Sequence, residues 1–276
     1  MLAEASASTP VVMQGPGWGP SVTYLERTLS PLLSGLDLRH YPVRNTPGGF
    51  RVDEVNAQAI DKLAADLESV RAGLGAERLA IVGHSHGALI ALGYAIRYPE
   101  RTAALVLLGP SLVPVGSSPC AAELLERFRG DPLRRDAVAA WEKTPARGGV
   151  DLDDRALARW MRATAPLNFY DLDALAAFQL AMRDAPVPSA VALQGVAPEP
   201  EAWLRSKLGD VRAPTLVVVG REDFLTPPDA AAEVATGVGG DLVVVDRAGH
   251  NPWIERPRAV AGPIRAFLAL HAGALS

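Results

Sequence analysis

Cysteine is almost absent: the 276-residue chain has one, Cys120, so it can form no internal disulfide and offers no cysteine-based zinc spacing. Histidine is scarce, with five in all, and aromatic residues make up only 6%. Neither sign of charge dominates. Against 27 Lys+Arg stand 31 Asp+Glu, a formal −4 that leaves no basic footprint for nucleic acid or an anionic membrane. No apolar run approaches the roughly 20 residues of a bilayer span. Met1–Pro10 lacks the basic and apolar regions of a secretory signal. A chain this long buries roughly 70–75% of its unfolded surface and needs no covalent staple. These absences predict a soluble protein of the reducing cytoplasm whose partner is a small-molecule substrate, with the oligomeric state left open.

What is present is a rhythm of short apolar runs followed by amphipathic stretches. Pro10–Met13, Leu36–Val43, Leu79–Val82, Ala104–Leu108, Thr215–Val219 and Leu242–Val245 are rich in Val, Leu and Ile and too short for helices. They fit parallel strands covered on both faces. Between the second and third, Ile60, Leu63, Leu67, Val70 and Leu74 step by three and four, which predicts a helix within Val52–Leu74. The alternation predicts an α/β fold with a mostly parallel sheet of about six strands.

From about Ser111 to Leu208 the rhythm breaks. Apolar residues there recur at helical spacing, as in Ala121–Leu124–Leu125–Phe128, and three of the five tryptophans fall here. The expected organisation is a core of residues 1–110 and 209–276 with a helical cap of residues 111–208. An insertion leaving the C-terminal edge of a parallel sheet sits over the place where such sheets bind ligands.

The chemistry starts at Gly83-His84-Ser85-His86-Gly87, with an apolar run before it and a helical run, Ala88–Tyr98, after it. Gly-x-Ser-x-Gly in that context predicts a sharp strand-to-helix turn that lifts the serine off the sheet edge. A serine hydroxyl is a weak nucleophile and needs a histidine oriented by a carboxylate. His84 and His86 flank the serine and read as wall residues; His40 and His271 read as structural. His250 remains, on a loop directly after the last apolar run. Asp223 follows the fifth run and is the expected acid. Glu222 beside it faces the other way, and Thr226 is the expected cap of the helix that follows.

Together with Gly15-Pro16-Gly17, Asp66-Leu67-Glu68-Ser69-Val70-Arg71, Tyr98-Pro99-Glu100-Arg101 and Gly249-His250-Asn251-Pro252, these motifs resemble the α/β-hydrolase superfamily, and within it the proline iminopeptidase-like branch. The order Ser85, Asp223, His250 is the superfamily's. The resemblance implies hydrolysis through an acyl-enzyme without metal or cofactor. It also implies an oxyanion hole built from the backbone N–H groups of His86 and Gly15, with Gly17 and Trp18 as alternatives to Gly15. Trp18, Trp141, Trp160 and Glu142 are the expected substrate contacts, Glu142 as a partner for a substrate amine. Departures are visible. The branch's His-Gly-Gly-Pro-Gly loop reads Met13-Gln14-Gly15-Pro16-Gly17, and its Asp-x-Arg-Gly loop is replaced around Pro42–Gly49. The expected function is a serine hydrolase cleaving an ester or amide of a small to medium, largely apolar substrate. The alternative is a lyase, isomerase or cyclase on the same fold.

Overall fold

Alternation along the strands decides the architecture. In the computed structural model, which describes residues 9–19, 22–54, 56–143, 153–196 and 202–273, six strands form one sheet. They are β1 (Val11–Gln14), β2 (Leu38–His40), β3 (Leu79–His84), β4 (Thr102–Leu108), β5 (Thr215–Gly220) and β6 (Asp241–Val245). Every pairing is parallel. Val12, Ile81, Leu105, Leu107, Val217 and Val219 enter one apolar cluster, and Val11, Met13, Ala80, Val82, Val106 and Val218 enter another. Successive side chains leave a strand on opposite faces, so the two clusters are the two sides of the sheet. All six expected strands form, each within two residues of the expected limits at its C-terminal end except β2, which stops at His40 before Pro42.

Helices cover both clusters. Helices α1 (Thr23–Thr28) and α2 (Ile60–Gly73) lie between the first strands, and α3 (His86–Arg97) follows β3. The predicted stripe is only partly buried: Ile60, Leu63 and Leu67 enter the core, whereas Leu74 ends up exposed. Helix α2 begins at Ile60, the first residue of the stripe: Asn56 sits at φ 58° and Ala59 is extended, which keeps the preceding turn out of the helix.

Between β4 and β5 every regular element among the described residues is helical: α4 (Pro119–Arg129), α5 (Arg135–Glu142), α6 (Asp154–Thr164), α7 (Leu172–Ala181), α8 (Ala190–Gln194) and α9 (Ala202–Ser206). The chain closes with α10 (Pro228–Val238), α11 (Pro252–Glu255) and α12 (Pro257–Ala272). No helix among the described residues is long and apolar enough to cross a membrane.

The strand order is β2-β1-β3-β4-β5-β6. Chain direction across the sheet therefore reverses between β1 and β3. Loops leaving the carboxyl ends of two such strands diverge and open a crevice, the usual ligand position in open parallel sheets. The loop after β1 and the turn after β3 flank it.

Candidate active site

Ser85 occupies the turn between β3 and α3 with φ 55° and ψ −123°. Holding a residue with a Cβ in such backbone costs about 1–3 kcal/mol and persists only where the surroundings enforce it. Here a fully buried strand ends at His84, and the Ser85 N–H donates to the Leu108 carbonyl at 2.9 Å. A Cβ on Gly87 would collide with the Gln14 carbonyl, and one on Gly83 with the carbonyl of Gly87. Both flanking glycines are therefore demanded by close backbone approach.

Asp223 follows β5 and is 1% exposed. Its Oδ1 accepts the N–H groups of Leu225 and Thr226, both at 3.0 Å. Its Oδ2 accepts the Thr226 hydroxyl at 2.6 Å and lies 2.8 Å from His250 Nδ1. A carboxylate only accepts, so Nδ1 carries the hydrogen and Nε2 is the basic nitrogen. Thr226 thus departs from its expected role. Pro227 holds the cap position of α10, and the Thr226 hydroxyl is turned to the acid, 3.2 Å from His250 Nδ1. The Asp-x-x-Thr spacing reads equally well as a cap, which is why sequence reasoning missed it. Glu222 faces away and accepts the Ala248 N–H at 3.0 Å.

The main chain of His250 is tied on both sides. Its N–H donates to the Asn168 carbonyl at 2.9 Å, and its carbonyl accepts from His84 Nε2 at 2.9 Å. His84 Nδ1 in turn accepts the Tyr24 hydroxyl at 2.6 Å. Burial, followed by the facing His250 ring 4.5 Å away, holds the His84 imidazole well below the usual histidine range, partly offset by the His250 carbonyl. His84 is therefore a neutral strut between the serine turn and the His250 loop. Nothing in the sequence marks Tyr24 as its partner.

His86 starts α3, so its main-chain N–H precedes the helical hydrogen-bond ladder. Its ring accepts the Gly17 N–H at Nδ1, 3.0 Å away, and burial lowers its pKa to about 4. That contact removes Gly17 from the alternative oxyanion donors: its hydrogen is already directed to an imidazole. Gly15 is buried beside Gly87, and its carbonyl accepts Gln14 Nε2 at 2.7 Å. The Gln58 amide donates to the Gly17 carbonyl and braces the loop from below. Trp18 is partly buried in the same loop.

Trp141 and Trp160 come together, stacked with ring centres 5.7 Å apart, and Trp141 meets Phe224 edge-on at 5.2 Å. Phe224 directly follows Asp223, so this pair adjoins the acid loop. Glu142 goes elsewhere: it is about half exposed and pairs with Arg129 at 2.6 Å. His40 binds Ser30 at 2.7 Å and His271 packs on Phe267. Among the described residues no group of three or more His, Cys, Asp or Glu is arranged to hold a metal ion.

A family model described as alpha/beta hydrolase fold matches residues 45–257. The chain is 28% identical over 279 residues to 2-hydroxy-6-oxo-6-phenylhexa-2,4-dienoate hydrolase of Comamonas testosteroni, covering 93% of this chain and 85% of that one. It is 27% identical over 225 residues to strigolactone esterase D14 of Arabidopsis thaliana, covering 76% and 73%. Its structure is similar to that of a proline iminopeptidase-related protein from Thermus thermophilus, with a TM-score of 0.65, 22% identity and coverage of 98% and 92%. At that identity the likeness concerns the fold.

Proposed function

The chain belongs to the alpha/beta hydrolase fold family, and from that premise we propose that it is a serine hydrolase with Ser85, Asp223 and His250 as its triad. Ser85 Oγ attacks a carbonyl carbon while His250 Nε2 takes its proton. The N–H groups of His86 and Gly15 hold the oxyanion, each donor of this kind being worth about 2.7–4 kcal/mol. Collapse expels the leaving alcohol or amine, which takes the proton back from His250. Water then attacks the acyl-enzyme by the same route in reverse and restores Ser85. Asp223 keeps the Nδ1–H tautomer and stabilises the imidazolium.

The observation that carries the reading is the buried Asp223–His250 pair at 2.8 Å, on a loop strutted by His84 to the strained turn that bears Ser85. The helical segment between β4 and β5 serves as the cap, with Trp141, Trp160 and Trp18 as apolar walls. These favour a small to medium, largely apolar ester or amide. A cytoplasmic setting belongs to the proposal and is supported by the lone cysteine. Motifs shared with the proline iminopeptidase-like branch keep an aminoacyl amide among the candidates. The ion pair between Glu142 and Arg129 favours a neutral ester, because binding a substrate ammonium there would first require that pair to break.

Intact-mass spectrometry after incubation with p-nitrophenyl esters and aminoacyl anilides tests this directly. An acyl adduct on Ser85 is expected, and Ser85→Ala should lower kcat/KM by about 10⁴-fold or more. Undiminished turnover by that variant rejects the triad. Turnover of some substrate with no adduct, even with a fluorophosphonate, would favour the lyase, isomerase or cyclase reading, which the rebuilt loop around Gly15 and Gly17 motivates.

A further inference from the structure

A short strap, residues 166–171, joins α6 to α7 and is gripped from two directions. From the helical segment, Arg134 donates to the carbonyls of Pro166 at 3.3 Å, Phe169 at 3.0 Å and Tyr170 at 2.7 Å, with its own charge met by Asp131. From the core, the buried carboxylate of Glu255 divides its two oxygens. Oε1 accepts the Asp171 N–H at 2.8 Å, and Oε2 accepts the Gly249 N–H at 2.6 Å. Between these grips the His250 N–H meets the Asn168 carbonyl. Loop and strap touch so closely that a Cβ on Gly249 would lie 2.5 Å from the Asn168 carbonyl oxygen.

Glu255 has no part in the chemistry proposed above, yet a buried carboxylate is costly unless its charge is used. Burial pushes its carboxyl above the ordinary range, while the amides of Asp171, Gly249 and Tyr170 and the neighbouring Arg256 pull it back. Each amide bond to it is charge-assisted and so stronger than a neutral one. We propose that Glu255 is a positioning residue that holds the His250 loop and the strap of the helical segment in one register, and so sets the approach of His250 Nε2 to Ser85. The proposal rests on the serine-hydrolase reading. The carboxylate suits the task because its two oxygens accept from distant parts of the chain, one from Asp171 in the strap and the other from Gly249 in the His250 loop. An amide side chain of the same shape has only one acceptor oxygen and must release either Gly249 or Asp171.

Glu255→Gln tests this against wild type. The expected result is a fall of about tenfold to a hundredfold in both the phosphonylation rate of Ser85 by a fluorophosphonate and kcat for p-nitrophenyl butyrate, the loss associated with a misplacement near 1 Å. KM should change little, and circular dichroism should match wild type. Equal phosphonylation rates per folded molecule would overturn the proposal and leave Glu255 a merely stabilising residue. Should the variant fail to fold, hydrogen exchange in the wild-type protein decides. The Gly249 and His250 amides should exchange far more slowly than those of the exposed Asp246–Arg247 turn, and equal exchange would overturn the proposal. Exchange is read without chemistry at Ser85. A wild-type protein inert to the probe but protected at Gly249 and His250 would reject the hydrolase reading and still support the clamp.

Discussion

The two loops that meet at the rim are held in opposite ways. The Ser85 turn is marked within its own segment: its strain and its two glycines lie at the junction of β3 and α3, with the Leu108 and Gln14 carbonyls closing on it from neighbouring strands. The His250 loop is held from outside, by Asn168 and His84 on its own backbone, Asp223 on its side chain and Glu255 on its neighbour. A locally encoded turn can be read in sequence and is broken by a single added methyl. A loop held by remote partners is invisible in sequence and is loosened by changes far from it.

The sharpest way to break the first loop is Gly87→Ala. Its Cβ meets main chain of the β1 loop, which cannot swing aside as a side chain would. The expected cost is about 3 kcal/mol in denaturant unfolding, together with loss of Ser85 labelling by a fluorophosphonate. Unchanged stability would mean the close approach at Gln14 does not constrain the turn.

Thr226→Val probes the second loop. It keeps the shape and deletes the hydroxyl donor to Asp223 Oδ2, leaving that oxygen with His250 alone. Bonds to charged groups are worth about 1.5–3 kcal/mol, so kcat should drop about tenfold or more with KM little altered. If instead Thr226 acted only as a helix cap, stability would fall and kcat would not.

Acid should reveal the neutral histidines on which both loops lean. The folded-state pKa of His86 is lowered to about 4, and that of His84 also lies far below the ordinary 6.5, each chiefly by burial. Between pH 6.5 and about 4 the unfolded chain therefore binds protons that the folded one refuses. Stability should fall as pH drops through that window and be independent of these two groups above it. Melting temperatures measured from pH 7.5 to 4.5 check this. His86→Asn, which can still accept the Gly17 N–H, should flatten the decline. The smallest effect is expected at Glu142→Gln: an exposed pair with Arg129 contributes about 0–1 kcal/mol, and KM for neutral esters should not move. A large KM rise confined to aminoacyl anilides would restore Glu142 as a substrate contact.

Sequence alone determined the sheet and the serine turn, because burial on both faces writes itself as short apolar runs and because Gly-x-Ser-x-Gly between an apolar run and a helical run marks a turn too crowded for a Cβ on either flank. Asp223 and His250 were legible from their places after strands β5 and β6, where a parallel sheet delivers its loops to one edge. Only the tertiary structure decided what surrounds them. Thr226 turned from helix cap to acid partner, Gly17 from possible oxyanion donor to partner of His86, and Glu142 from pocket to surface ion pair. Tyr24 and Glu255 gained roles that no local pattern announces. Hydrogen-bond partners separated by tens of residues leave no periodicity or motif behind, since which donor meets which acceptor is settled only when the sheet and its helices have packed.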